Sequence, residues 1–390
     1  MKIIILDRGE FQVSTVSVVS CPDYRPETVR KALSNVLAPL GGVDFVRPGM
    51  KIIIKANLVS MMKPDSAATT HPELLYALCH MLTEKGAEVI VGDSPGGLYT
   101  SAYVNAVYNA TGVKKILETG AKLNQDFSHR HAQNPDGHTL MELEYTSYLD
   151  SADVIINFCK LKTHGMMGMS ACVKNMFGVI PGIFKPEYHY LYSEHPVFAD
   201  MLVDLNVRFP QRLAIVDAVV GMEGNGPTAG TPRQIGALIA SDSPYDCDRV
   251  CAKLIGIDED ELETISASKK RGLTSDYTLS GDIDRLIVSD YRLVRTRKDT
   301  AFYQNSSSLF SRFLGYFIKK ALMSIPKVRK RQCVGCKKCM EICPAKAIRM
   351  KNKKPVIDRN ACIRCFCCQE FCPVGAMKVK RPMIAKLFNR

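Results

Sequence analysis

No run of about 18 consecutive apolar residues occurs in the chain, which excludes a conventional transmembrane helix. A secretory leader is not expected either. Met1-Lys2-Ile3-Ile4-Ile5-Leu6 meets a carboxylate at Asp7, whereas a leader's apolar region needs roughly 7–15 residues. Acidic residues are scarce in one place only. Residues 301–390 hold 3 Asp+Glu against 21 Lys+Arg, whereas the preceding 300 hold 36 against 31. The net charge of +13 therefore belongs to a basic tail on a mildly acidic body. Aromatic residues that could stack on bases are thin in that tail, so nucleic acid is not expected as a partner. With 46% hydrophobic residues in a chain of 390, wholesale disorder is excluded and two or three domains fit the length.

Cysteine, by contrast, is abundant: nine of the 15 lie between Cys333 and Cys372. They form two runs, Cys333-x2-Cys336-x2-Cys339-x3-Cys343-Pro344 and Cys362-x2-Cys365-x2-Cys368-x3-Cys372-Pro373. A shift of 29 positions carries the first onto the second, proline included, and carries Ile348 onto Met377. Three cysteines two residues apart let one tight loop present three thiolates to a cubane, and the fourth reaches the other cluster. The spacing therefore assigns Cys333, Cys336, Cys339 and Cys372 to one [4Fe-4S] cluster. Cys362, Cys365, Cys368 and Cys343 hold a second. Structural zinc sites pair two ligand couples without this repeat, and a disulfide scaffold needs an oxidising compartment. Cys367 is expected to pack as a small apolar side chain rather than to ligate. The segment resembles a two-cluster bacterial ferredoxin domain over roughly residues 326–380. Its Lys and Arg residues offset the charge of eight thiolates, and suit docking to an acidic electron carrier such as ferredoxin or flavodoxin, to a partner redox enzyme, or to anionic lipid.

Apolar pairs Leu309-Phe310, Phe313-Leu314, Phe317-Ile318 and Ala321-Leu322 recur every four residues between a serine-rich start and Pro326. They predict an amphipathic helix within 301–326, packed on the body or, alternatively, lying at a membrane surface. The expected organisation is an α/β domain over 1–300, this connecting helix, a ferredoxin domain over 327–380 and a basic tail over 381–390. In the body, Lys51–Lys55, Ala87–Asp93, Asp153–Phe158, Leu213–Asp217 and Ile235–Ala240 read as strands. Helices are predicted from about Thr70 to Gly86 and from about Pro244 to Gly256, and one strand is expected within 272–300. The rhythm argues for a mostly parallel sheet with helices on its faces, followed by a small α+β ferredoxin-like domain.

In open parallel sheets, ligands sit beyond the carboxyl ends of strands. At those ends lie Lys55-Ala56-Asn57-Leu58, Gly92-Asp93-Ser94-Pro95-Gly96 and Lys160-Leu161-Lys162-Thr163-His164, with Lys174-Asn175-Met176-Phe177-Gly178 close behind. Thr70-His71-Pro72-Glu73 reads as a helix start. His129, His131 and His138 read as solvated residues of a polar loop, and Gly221–Gly230 as a mobile lid over the cleft. The motif set resembles the domain-of-unknown-function 362 family, many of whose members carry a C-terminal two-cluster ferredoxin. The likeness covers most of residues 45–255 plus the tail, and implies the architecture while assigning no reaction.

The expected function is iron–sulfur electron transfer: an oxidoreductase passing single electrons between a carrier and an anionic substrate or cofactor in the cleft. Lys162, Lys174 and Lys55 would neutralise the anion, with His164 exchanging protons and Asp93 binding a hydroxyl, a metal or one of the lysines. Asn57, Asn175, Ser94 and Gly96 would position the substrate. No G-x-G-x-x-G follows a strand, so neither flavin nor nicotinamide is expected. The alternatives are a non-catalytic electron-transfer or redox-sensing subunit that docks a partner enzyme, and a cluster-dependent maturation or scaffold protein. The expected location is cytoplasmic, with peripheral contact at the inner face of the membrane as the variant.

Overall fold

The computed structural model describes residues 13–294 and 325–380. Its centre is a nine-stranded mixed sheet among the described residues. In chain order the strands are β1 (Thr15–Ser20), β2 (Lys51–Lys55), β3 (Glu88–Gly92), β4 (Lys122–Leu123), β7 (Val154–His164), β8 (Gly168–Ser170), β9 (Leu213–Glu223), β10 (Thr231–Ser241) and β11 (Thr278–Ser280). A separate hairpin joins the exposed β5 (His129–Gln133) to β6 (Glu142–Thr146), whose Leu143 and Tyr145 are buried. The order across the sheet is β11-β1-β10-β9-β7-β2-β3-β4, with β8 paired to β7. Pairings among β9, β7, β2, β3 and β4, and between β1 and β11, are parallel. β10 runs antiparallel to both its neighbours, and β8 runs antiparallel to β7.

The apolar run of β2 shows why this sheet is covered on both faces. Ile52 and Ile54 enter one core with Val89 and Val91, under α1 (Pro26–Leu37), α2 (Pro72–Glu84) and α3 (Ser101–Thr111). Ile53, pointing the other way, enters a second core with Ile155 and the buried face of a later helix, Phe198, Leu202 and Leu205. Period-two alternation thus disappears into a continuous apolar string, as buried parallel strands require. α2 begins as expected: Pro72 occupies its first turn, and the His71 ring accepts a hydrogen bond from the Glu73 amide at 3.2 Å. The short α4 (Cys172–Asn175) and α5 (Lys185–Leu191) precede α6 (His195–Arg208), α7 (Pro244–Leu254) and α8 (Glu263–Lys270).

Several boundaries differ from expectation. β7 continues six residues past Phe158 to His164, and β9 continues to Glu223. Charged Lys160 and Lys162 looked like loop residues, but they carry on the Ile156–Phe158 face at strand spacing and are buried. His129 and His131 lie on the β5–β6 hairpin beside Glu144, not in a loop. The stretch Gly221–Gly230 is part strand and part fixed turn. Thr163 Oγ1 donates to the Gly224 carbonyl at 2.9 Å and accepts from the Gly226 amide at 3.3 Å.

The C-terminal segment repeats in structure what it repeats in sequence. β12 (Ile325–Val328) pairs with β15 (Met377–Lys380), and β13 (Ile348–Lys351) with β14 (Lys354–Ile357), all antiparallel. Helices α9 (Lys338–Glu341) and α10 (Cys367–Glu370) are related by the same shift of 29. Residues 301–324 of the expected connecting helix lie outside the described residues, as does the tail beyond 380. Ile325 and Pro326, placed in that helix by the sequence reading, open β12 instead because they pair with Lys380 and Val379.

Candidate functional site

The carboxyl ends of parallel β2, β3 and β7 meet at one point of the sheet, and polar groups accumulate there. Lys55, the last residue of β2, is fully buried with its ammonium 2.7 Å from Asp93 Oδ1. The other Asp93 oxygen accepts from the Leu58 amide at 2.7 Å. Asn57 Nδ2 donates to Asn175 Oδ1 at 2.8 Å, and Asn175 Nδ2 donates to Asn157 Oδ1 at 2.8 Å. Lys162 Nζ donates to Asn57 Oδ1 and to the Ala68 carbonyl, both at 2.7 Å. Gly178 allows this convergence, because any Cβ there would collide with the Lys55 and Asp93 head groups.

Above this network lies a cavity of about 80 Å³, lined among others by Asn57, Asp93, Ser94, Gly96, Lys162, His164, Lys174 and Asn175. Eight of the nine cleft residues singled out in the sequence therefore face one space. Lys55 is the exception: its ammonium is engaged by Asp93 beneath the floor, so it neutralises a carboxylate of the fold and not a ligand. Lys160, on the same strand, is likewise structural. It lies 2.8 Å from fully buried Asp217, whose Oδ1 accepts from the Tyr24 hydroxyl at 2.9 Å.

The sequence reading missed four groups of the lining: Lys185, His189, Glu370 and Phe371. The last two come from the C-terminal domain, whose helix α10 closes the cavity. His164 Nε2 lies 2.9 Å from Glu370 Oε1. His164 Nδ1 accepts from the Met166 and Met167 amides, each at 3.1 Å, which leaves the ring proton on Nε2, facing Glu370. Gln369 Nε2 donates to the Asn225 carbonyl at 2.8 Å, and Lys378 Nζ to the Ala229 carbonyl at 3.0 Å. The presumed lid is thus a docking ledge, with Pro227 in the cavity wall. Gly96 and Gly165 give α10 room, since a Cβ would lie 3.0 Å from the Phe371 ring at the first and 3.3 Å from Val379 at the second. Glu370 sits between two ligand-type cysteines, so only its docked position separates it from an ordinary surface acid.

Cation outweighs anion at this cavity. Lys162, Lys174 and Lys185 each lack a carboxylate at ion-pair distance among the described residues. Lys185 donates to the Ser94 carbonyl, and Lys174 lies 5.3 Å from the centre of the Phe177 ring. Burial, reinforced by the neighbouring Lys174 charge, lowers Lys162 to about 7. Burial likewise lowers Lys185 to about 8 and pulls Lys174 down. The same desolvation takes His164 to about 4 and His189 to about 3. Burial opposes the charge of Glu370, but His164 and Lys174 overcome it and hold the carboxyl well below its ordinary range. Among the described residues, His189 Nδ1 is buried without a hydrogen-bond partner. The arrangement is a half-open, cationic pocket with one protonated imidazole nitrogen at its wall.

In the C-terminal domain, cysteines of both runs come together. Cys333, Cys336, Cys339 and Cys372 surround a small void of about 20 Å³. Cys343 Sγ accepts from the Ala347 amide at 3.3 Å and Cys372 Sγ from the Ala376 amide at 3.2 Å, equivalent bonds in the two copies. Such N–H···S bonds are what thiolate ligands of clusters receive, so this donor set fits two cubanes. Cys367 is completely buried.

Residues 52–253 match the family described as Domain of unknown function (DUF362). Residues 325–373 match the one described as 4Fe-4S dicluster domain. A thylakoid-associated protein of Synechocystis sp. is 30% identical over 319 residues, which is 80% of this chain and 98% of that protein. The lactate racemase apoprotein of Thermoanaerobacterium thermosaccharolyticum superposes with a TM-score of 0.37 at 13% identity, over 63% of this chain and 59% of the other. At that score the likeness carries no argument. Among the described residues, no helix is long and apolar enough to cross a membrane.

Proposed function

The chain belongs to the DUF362 family, whose description leaves the reaction open, and we propose that it is an iron–sulfur oxidoreductase acting on a small anion held between its α/β body and its dicluster domain. The single observation carrying this reading is the cavity itself: three ammonium groups without carboxylate partners among the described residues, walled by the helix that bears Cys368. A volume of about 80 Å³ corresponds to roughly 5–8 water-sized positions. That suits a small oxoanion or short carboxylic acid.

Lys162, Lys174 and Lys185 bind the anion, in a site dry enough for their charges to act at close range. Asn57 and Asn175 hold Lys162 in place, and Ser94 fixes Lys185. His164 holds a proton on Nε2, and Glu370 keeps that ring oriented toward the cavity. Cys333, Cys336, Cys339 and Cys372 would hold one cluster, and Cys362, Cys365, Cys368 and Cys343 the other. When bound, such clusters supply electrons one at a time. Anaerobic purification followed by identification of co-purifying small molecules tests the reading. Wild-type protein should retain a small anion that Lys162→Met and Lys174→Met lose at unchanged iron content, and equal retention by all three would overturn it.

Peripheral association with a membrane is a second reading, favoured by the thylakoid-associated relative. Flotation of the intact chain with phosphatidylglycerol vesicles tests it, and a chain that stays at the bottom of the gradient at low salt refutes it.

A further inference from the structure

The two copies within the C-terminal domain have one backbone and two different surroundings. Left-handed backbone recurs at equivalent positions: Gly335 and Arg364 (φ 73° and 60°), Lys337 and Phe366 (65° and 60°), Lys346 and Gly375 (49° and 58°). With the backbone held in common, differences between side chains report what each copy touches. In the second copy Phe366, Cys367 and Gln369 are buried, and Glu370 meets His164. Their equivalents in the first copy are Lys337, Lys338, Met340 and Glu341, of which all but Met340 are exposed.

Charge follows the same division. From 325 to 357 there are 11 Lys+Arg and a single acid, Glu341, and 10 of those bases are exposed. From 358 to 380 there are only four bases and two acids. Within the basic surface Cys336 is exposed, and the valine next to it in the first loop, Val334, is 67% exposed. Across the void, Val374 is 44% exposed. An apolar lip over one thiolate set, ringed by cations, has the anatomy of a small interface: a dry centre with a charged rim. A lipid-facing surface would instead carry large apolar side chains beside its basic residues, and among the described residues of this domain the exposed large apolar groups are Val334, Val356 and Val374.

We infer that the half bearing Cys333, Cys336 and Cys339 is the outer port of the domain, where an acidic one-electron carrier protein docks, and that the half bearing Cys362, Cys365 and Cys368 is the inner relay to the cavity. This rests on the cluster assignment proposed above. Each exchange moves one electron, lost by the carrier's centre and gained by the outer centre, or the reverse, with no proton or group transferred. The surrounding cations steer the carrier to the edge where Cys336, the most exposed of the described cysteines, reaches the surface.

The test uses the full-length, iron-loaded chain and three probes, an acidic flavodoxin, hexacyanoferrate(III) and hexaammineruthenium(III). Flavodoxin binding, followed by anisotropy, should weaken roughly tenfold or more between low salt and about 0.5 M salt. Oxidation of the reduced protein by hexacyanoferrate(III) should slow likewise, whereas oxidation by cationic hexaammineruthenium(III) should not. The triple variant Arg331→Glu, Lys337→Glu, Lys338→Glu should lose flavodoxin binding by a similar factor. A control with Lys31→Glu, Lys114→Glu, Lys122→Glu on the body should not. Salt-insensitive binding, or equal effects of the two triple variants, would overturn the port. Loss of phosphatidylglycerol flotation in the port variant with flavodoxin binding unchanged would make this face a lipid surface and overturn it too. Iron content is read alongside. A wild-type value near four per chain refutes the cluster assignment, and a value near eight with no charge effect refutes the port alone.

Discussion

Lys160 and Lys174 flank the same sheet edge, yet the structure gives them opposite roles, and replacing each by methionine separates these roles. Lys160→Met leaves Asp217 fully buried without its ammonium at 2.8 Å. The carboxylate keeps the Tyr24 hydroxyl at 2.9 Å and the His71 amide at 3.0 Å as donors. Stranding a buried charge costs about 3–5 kcal/mol, and the surviving donors favour the lower end. At roughly 2–4 °C per kcal/mol for a body of this size, the melting temperature should fall by about 6–12 °C. Lys174→Met strands nothing, because Glu370 keeps His164 at 2.9 Å, so its melt should stay within about 3 °C of wild type. Oxalate or phosphate at about a hundredfold excess over its dissociation constant should stabilise the wild type by about 2.7 kcal/mol. Losing one charge-assisted hydrogen bond, worth about 1.5–3 kcal/mol, should remove most of that gain in Lys174→Met. The assay is thermal unfolding under nitrogen, with and without anion, and with iron measured on every sample. If Lys174→Met melts as low as Lys160→Met, Lys174 belongs to the fold and the anion site is refuted.

Three further outcomes follow from the same geometry. Protein purified without oxygen should carry about eight irons and eight acid-labile sulfides. Cys367→Ser should keep both clusters while Cys368→Ser loses one, and equal losses in the two would make Cys367 a ligand. Burial holds Lys162 at about 7 in the folded chain against 10.5 ordinarily. Between those values the unfolded chain binds the extra proton, so stability should rise with pH across that window, and Lys162→Met should flatten the rise. Anion affinity should fall over the same range, because the ligand needs the ammonium. On the acid side, His164 at about 4 and His189 at about 3 stand against 6.5 in the unfolded chain. Stability should therefore fall as pH drops from 6.5 toward those values. A His164→Asn variant with an unchanged acid limb would contradict the assignment of a neutral, buried ring.

Much of this was legible because strand period and ligand spacing are local. Lys51–Lys55 and the helix after His71 announce themselves within a dozen residues, and the 29-residue shift fixes the dicluster domain outright. The extension of β7 was not legible. A run reading Lys160, Leu161, Lys162 resembles a turn until it is known that Asp217, Asn57 and the Ala68 carbonyl await the two ammonium groups. The same shortfall explains Lys55, whose role depends on Asp93 arriving from another strand. α3 and α6 went unassigned for a plainer reason: their apolar faces have modest contrast and draw their stability from tertiary packing, whereas α1 carries a clear helical stripe in Val29, Ala32, Leu33, Val36 and Leu37. Glu370 marks the deepest limit. It occupies the same place in the repeat as exposed Glu341, and nothing in either copy's own sequence tells which of them meets a histidine.

That equivalence couples the metal centres to the cavity. Glu370 and Phe371 stand between Cys368 and Cys372, which the proposed assignment gives to different clusters, so their position depends on both being held. A cluster's binding energy is in part the folding energy of the loops that bind it, and here it is also the energy that shapes one wall of the anion site. Removing iron with a chelator under reducing conditions should therefore do more than erase the visible spectrum. His164 should lose its carboxylate neighbour and Lys174 part of its shielding. Exchange of backbone amides at Met166 and Met167, now bonded to His164 at 3.1 Å, should accelerate. The anion-dependent rise in melting temperature should disappear with it, while the body's own unfolding transition, set by the two large cores on either side of β2, persists. If chelated protein binds anion as tightly as loaded protein, the cavity is a property of the body alone, and α10 is only a neighbour.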